Sequence, residues 1–152
     1  MTDPPPTEQP RSVLFACAHN AVRSPMAEGM LKYLLGKRIY VDSCGVMPAE
    51  RDPFMVAAMA ELGIELGRHK AKSFDELEDG SFDLIVTLSP EAHHKAVEMT
   101  RTMACAVEYW PTLDPTHAEG SRDVRLDAYR TVRDQLFARI KRRFGITGGP
   151  TV

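Results

Sequence analysis

The chain predicts a single α/β domain, doubly wound around a four-stranded parallel sheet ordered 2-1-3-4, with helices on both faces. Three observations predict it. Short apolar runs alternate with stretches of helical period along the chain. Residues 82–88 (Phe-Asp-Leu-Ile-Val-Thr-Leu) are apolar almost without a break, as a central parallel strand requires. Two strand-to-helix junctions read Ser-Pro with an acid soon after, a helix-start pattern. At 152 residues and 43% hydrophobic, the chain has room for one real core.

Residues 1–11 hold four prolines among polar residues and predict a mobile leader. Residues 13–16 (Val-Leu-Phe-Ala) predict the first strand. Ser24 as a hydroxyl N-cap, Pro25 at the first helical position and Glu28 as a first-turn acid start a helix. Met26, Met30, Leu31, Leu34 and Leu35 recur at helical spacing, and Gly36 ends it. Residues 39–42 form the second strand, ending at Ser43-Cys44-Gly45, and the 46–52 loop makes one wall of a cleft beyond the strand ends. Pro53 opens a second helix with Val56, Met59, Ala60 and Leu62 on one face, stopped by Gly63. The stretch His69-Lys70-Ala71-Lys72 reads as a structural connector. Residues 82–88 are the third strand, and Ser89-Pro90-Glu91 starts a helix reaching about residue 100. His93 and His94 fall on its solvated face; neighbours about 100° apart on a helix make no metal clamp. Residues 103–109 form the fourth strand and residues 110–117 a loop. A long helix from Asp123 carries Val124, Ala128, Val132, Leu136, Ile140 and Phe144 at four-residue steps. Its basic end (Arg139, Lys141, Arg142, Arg143) suits the negative pole of the helix dipole. Residues 145–152 read as a frayed tail, so the folded domain spans 12–144.

Composition narrows the function. A net charge of −2 provides no basic field for nucleic acid or a membrane surface. There is no apolar run of membrane-spanning length and no basic-then-apolar leader, which predicts a cytoplasmic protein. The cysteines, Cys17, Cys44 and Cys105, are odd in number and at no metal-ligand spacing, so free thiols, no metal and no cofactor are expected.

Chemistry concentrates between the first strand and the first helix. A tight strand-to-helix loop aims backbone N–H groups and the positive end of a dipole at one point, which favours an anion. The same field favours thiolate over thiol, making Cys17 at the mouth of that loop nucleophilic. Arg23 adds a two-pronged donor for two oxygens of a phosphate-like dianion. Thiolate, oxyanion cradle and fixed guanidinium describe a phosphoryl-transfer site.

Cys-Ala-His-Asn-Ala-Val-Arg-Ser-Pro-Met-Ala-Glu resembles the phosphate loop of the low-molecular-weight protein tyrosine phosphatases and of the thioredoxin-coupled arsenate reductases sharing their fold. The resemblance covers about residues 12–144. It implies that Cys17 attacks phosphorus while Ala18, His19, Asn20, Ala21, Val22 and Arg23 hold the equatorial oxygens. Ser24 stabilises the thiolate, Ser43 braces Asn20, and Asp114 of Asp114-Pro115 is the general acid. The implied partner is a phosphorylated protein or small phosphomonoester, probed by phosphate or a similar oxyanion in the loop. Val22 stands where the phosphatases usually carry a second cysteine, and Thr116-His117 replaces their tyrosine pair. Trp110 and the Arg130-Thr-Val-Arg133-Asp run look more like the reductases. Ser89 and Ala96 occupy the places of the second and third reductase thiols, so arsenate reduction would draw on glutathione or a similar thiol reductant, or on Cys44 through a Cys17–Cys44 disulfide.

Overall fold

The structure is a computed structural model and describes residues 9–78 and 80–147. Strands β1 (Ser12–Cys17), β2 (Tyr40–Gly45), β3 (Leu84–Thr87) and β4 (Ala106–Tyr109) form one parallel sheet in the order β2-β1-β3-β4. This is the predicted order. Around it stand α1 (Arg23–Leu35), α2 (Pro53–Ala60), α3 (Pro90–Met99) and α4 (Arg122–Phe144). The switch point lies at β1, whose neighbours β2 and β3 are reached by crossovers in opposite directions. The loop after β1 therefore opens into the crevice at the strand ends.

Alternation along the strands divides the core. Val13, Phe15, Val41, Leu84 and Val86 pack beneath α1, α2 and α4. Leu14, Ala16, Cys44 and Ile85 face the other way, against Phe74, Phe82 and, from α3, Ala92 and Ala96. Glu61 joins α2 to α4: it accepts from Arg130 at 2.7 and 3.0 Å and from Arg133 at 2.8 Å, while the same Arg133 nitrogen also reaches Ala58 O at 2.8 Å. Among the described residues, no helix is long and apolar enough to cross a membrane.

Several elements depart from the sequence reading. Helix α1 begins at Arg23 with Val22 as its N-cap, and no side chain caps it. Ser24 is inside the first turn because its hydroxyl is engaged by Cys17 and Asn20. Pro25 still fits, since an N–H there would have no helical acceptor. The buried face of α2 is Met55, Ala58 and Met59, with Ala60 exposed. On α4 the core stripe is Leu126, Tyr129, Val132, Arg133, Leu136, Phe137, Ile140 and Phe144, and Val124 is 56% exposed. Steps of four drift about 40° each on a helix of 3.6 residues per turn, so a stripe started at Val124 cannot stay on one face. His93 is half-buried: Nδ1 lies 2.9 Å from Thr87 Oγ1 and the ring stacks on Tyr109.

Of the segment expected to be a mobile leader, residues 9–11 pack on the domain. Pro10 is buried, Arg11 O accepts from Tyr40 N at 2.8 Å, and Gln9 Nε2 donates to Phe144 O at 2.7 Å. At the other end, Gly145 closes α4 in the left-handed conformation and Ile146 N bonds Lys141 O at 2.9 Å, so ordered chain extends past 144. The rest of both expected segments, residues 1–8 and 148–152, lies outside the described residues.

Candidate active site

Between β1 and α1 the chain turns tightly around one sulfur. Cys17 ends β1, and its Sγ lies 2.9 Å from Ser24 Oγ and 3.3 Å from the amide of Asn20. Asn20 has φ +52°, the left-handed conformation that asparagine tolerates better than most residues and that folds its own N–H back toward residue 17. Among the described residues, no carbonyl or side chain accepts from the amides of Ala18, His19, Ala21, Val22 or Arg23. Five backbone donors without a protein acceptor, gathered at the start of a 13-residue helix, suit an oxyanion.

The loop is held by side chains that converge on Asn20. Its Nδ2 donates to Ser24 Oγ and to Ser43 Oγ, each at 2.9 Å, and its Oδ1 accepts from Lys72 N at 3.0 Å. His69 Nε2 donates to the Asn20 carbonyl at 2.8 Å. Ser43 in turn donates to Glu28. Because Ser24 Oγ already accepts from Asn20, its single proton is free for Cys17 Sγ, which is closer than the alternative acceptor, Cys44 O, at 3.4 Å. The thiolate form of Cys17 thus has two donors aimed at it.

Gly45 closes the floor. A Cβ there would lie 2.6 Å from Asn20 N and 2.8 Å from His19 C, so only glycine lets β2 approach the loop this closely. The segment after it lies along the loop, with Val46, Met47 and Ala49 amides donating to the carbonyls of Cys17, Ala18 and His19 at 2.9–3.2 Å.

Arg23 and Asp114 meet across the opening. The Arg23 guanidinium is largely buried, donates to Thr112 O at 3.0 Å and sits 3.9 Å from Asp114 Oδ2. Asp114 Oδ1 accepts from the Thr116 amide at 3.0 Å and hydroxyl at 2.8 Å. Partial burial pulls the Asp114 carboxyl upward, but the Thr116 donors, then Arg23 and His117, outweigh it and hold it below the usual carboxylate range. Cys17, Arg23 and Asp114 line one cleft of about 410 Å³ with Ala49, Glu50, Arg51 and Asp52 of the predicted wall. Its far side is aromatic: Phe54 and Tyr129 pack at 5.3 Å between centroids, and Tyr129 OH donates to Asp52 Oδ2 at 2.6 Å.

The structure thus brings Cys17, Asn20, Arg23, Ser24, Ser43 and Asp114 together. Sequence reasoning missed the support. His69 and Lys72, read as connector, both fasten Asn20; Lys72 Nζ also bonds Asp42 at 2.6 Å, which lifts its pKa against the opposing pull of burial. Glu28, read as a first-turn acid, supports Ser43. Phe54, Arg125 and Tyr129 carried no local pattern that would place them at the cleft. Two thiol expectations also change. Cys44 packs with Leu14 and Ala16 on the sheet face away from the cluster that holds Cys17, so the suggested Cys17–Cys44 bridge would need the strand to turn over. Burial pushes the Cys44 thiol well up, with Cys17 and Asp42 adding to it, so it is a poor nucleophile. As expected from their side chains, neither Ser89, which caps α3, nor Ala96, buried in it, supplies a thiol.

Comparison with known proteins agrees with this geometry. The model of the family described as low molecular weight phosphotyrosine protein phosphatase matches residues 12–144. An arsenate reductase from Bacillus licheniformis is 35% identical over 138 residues, 91% of this chain and 97% of that protein. A glutaredoxin arsenate reductase from Synechocystis is 29% identical, over 86% and 94%. Among solved structures, an arsenate reductase from Archaeoglobus fulgidus superposes with a TM-score of 0.69 at 29% identity, covering 88% of this chain and 98% of that one. A tyrosine phosphatase from Erwinia amylovora shares the fold, with a TM-score of 0.71 at 20% identity over 90% and 92% of the two chains. The chain belongs to the low-molecular-weight phosphotyrosine protein phosphatase family.

Proposed function

We propose that the protein hydrolyses phosphomonoesters, with aryl phosphate or protein phosphotyrosine as substrate, through a cysteinyl-phosphate intermediate. The observation that carries this is the pairing of Cys17, with two donors on its sulfur, and Asp114, 3.9 Å from the anion-binding Arg23 in the same cleft. The loop amides and Arg23 hold the three equatorial oxygens. Cys17 thiolate attacks phosphorus, an S–P bond forms, and the P–O bond to the leaving group breaks. Asp114 gives its proton to that oxygen. An arriving dianion neutralises the Arg23 guanidinium, which adds to the Thr116 donors in holding Asp114 ionised, and brings like charge beside it; both effects favour the protonated acid needed here. In the second half, Asp114 carboxylate takes a proton from water, the water oxygen attacks phosphorus, and Cys17 leaves as thiolate with the Ser24 hydroxyl donating to it. A reducing cytoplasm is the setting we propose, because the nucleophile must stay a free thiol and all three cysteines are free.

A second reading is favoured by the relatives named arsenate reductase. Arsenate would bind as phosphate does and Cys17 would form an S–As bond with loss of water. An external thiol such as glutathione would then attack Cys17 sulfur, giving a mixed disulfide while arsenic takes the two electrons and leaves as arsenite. Hydrolysis of p-nitrophenyl phosphate by wild type, lost in Cys17→Ser and lowered in Asp114→Asn, supports the first reading. Arsenate-dependent oxidation of glutathione without phosphate release supports the second and overturns the first.

A further inference from the structure

The outer wall of the cleft carries two cations that the steps above leave unused. Phe54, in the first turn of α2, is fixed from behind by the Tyr129 ring, and the Asp52–Tyr129 bond anchors the loop leading into it. Over the Phe54 ring lie the guanidinium groups of Arg125, 4.7 Å from its centroid, and Arg122, at 5.7 Å. Arg125 lines the same cleft as Cys17 and Arg23. Among the described residues, neither Arg122 nor Arg125 forms an ion pair with a carboxylate. Two of the three acids lining the cleft are engaged elsewhere: Asp52 with Tyr129 and the Phe54 amide, Asp114 with Thr116 and Arg23. Glu50, on the 46–52 loop, is the third. Stacking on an aromatic face orients a guanidinium and strips water from one side while leaving its edge donors free.

We propose that Arg125, backed by Arg122, is a second anion station that selects the substrate. The substrate class is a phosphorylated peptide with an acidic side chain beside the phosphorylated residue: phosphate in the Cys17 loop and neighbouring carboxylate on Arg125. This deepens the phosphomonoesterase reading and rests on it. A solvent-accessible guanidinium–carboxylate pair of this kind is worth about a fivefold preference, expressed mainly in KM and reduced by salt.

The test uses two phosphotyrosine peptides that differ only in Asp or Asn next to the phosphotyrosine, assayed at low ionic strength. Wild type is expected to show kcat/KM about fivefold higher for the Asp peptide. Arg125→Gln should bring the ratio close to one, Arg125→Lys should keep part of it, and Arg101→Gln should leave it as it is, because that equal loss of charge lies in the turn after α3. A wild-type ratio of one, or a preference that survives Arg125→Gln, would overturn the proposal while leaving the hydrolase reading standing. Hydrolysis of neither peptide nor p-nitrophenyl phosphate would remove the hydrolase reading itself, and the peptide station with it.

Discussion

Replacing Asn20 tests whether the reacting loop is held by side-chain hydrogen bonds or by its backbone path alone. The Asn20 side chain makes three bonds within a region closed to solvent, to Ser24, Ser43 and Lys72 N. At about 1 kcal/mol each, their loss costs about 3 kcal/mol. Asn20→Ala also puts a Cβ without a polar partner at φ +52°, adding about 1 kcal/mol. Asn20→Gly relieves that conformation but gives the unfolded chain roughly 0.5–1 kcal/mol more entropy to lose. The two variants should therefore lie within about 1 kcal/mol of each other, both at least about 2 kcal/mol less stable than wild type. Urea denaturation followed by circular dichroism measures this. Inorganic phosphate, which stabilises wild type by binding only the folded state, should protect both variants less. Asn20→Gly as stable as wild type would refute the reasoning, since the three bonds would then contribute nothing.

Other predictions follow from the same network. Gly45→Ala drives a Cβ to 2.6 Å from Asn20 N, a backbone atom that cannot move without moving the loop, so aryl phosphatase activity should fall about a hundredfold while circular dichroism shows an intact fold. Thr116→Val removes a hydroxyl that donates to the Asp114 carboxylate; the acid then keeps its proton to higher pH, and the descending limb of the kcat/KM profile should move upward in pH. Glu61 is held down to about 2 by its Arg130 hydrogen bond, against some opposing burial, with Arg133 adding to the pull. A depressed carboxylate contributes stability that is present above its unfolded value and lost as pH falls through the folded one. Glu61→Gln should accordingly flatten the acid loss of stability between about pH 4.5 and 2, measured by thermal melts across that range.

The parts of this protein legible in its sequence are those set by one residue run at a time. The apolar runs at 13–16 and 82–88 announced strands because buried parallel strands need continuous hydrophobicity, and their alternation with helices pointed to a parallel, doubly wound sheet. Cys17, Arg23 and Ser24 were legible because the five-residue gap between thiol and guanidinium follows an apolar strand, contains Asn20 and runs on into Ser-Pro-Met-Ala-Glu. Ser24 also shows the limit: a serine before a proline has the pattern of an N-cap, but its hydroxyl is taken up by Cys17, the contact the family resemblance implied, and the helix starts one residue earlier without a side-chain cap. The roles of His69, Lys72 and Glu28 were not legible, because His69-Lys70-Ala71-Lys72 resembles a stretch of the family but these residues act through Asn20 and Ser43 from elsewhere in the chain. Phe54 and Tyr129 meet because α2 packs on α4 through the shared apolar core, with Glu61 bridging to Arg130 and Arg133, a tertiary event with no local signal.

The most direct measurement is a rapid acid quench of Asp114→Asn during turnover of p-nitrophenyl phosphate, followed by mass spectrometry of the peptide containing residue 17. That leaving group departs without a proton donor, whereas in the proposed mechanism release of the phosphoryl group from sulfur still needs Asp114 to activate water. A phosphate adduct on Cys17 that builds up and then decays is the predicted result. Steady nitrophenol release with Cys17 unmodified throughout, or with the adduct on another residue, would contradict the account.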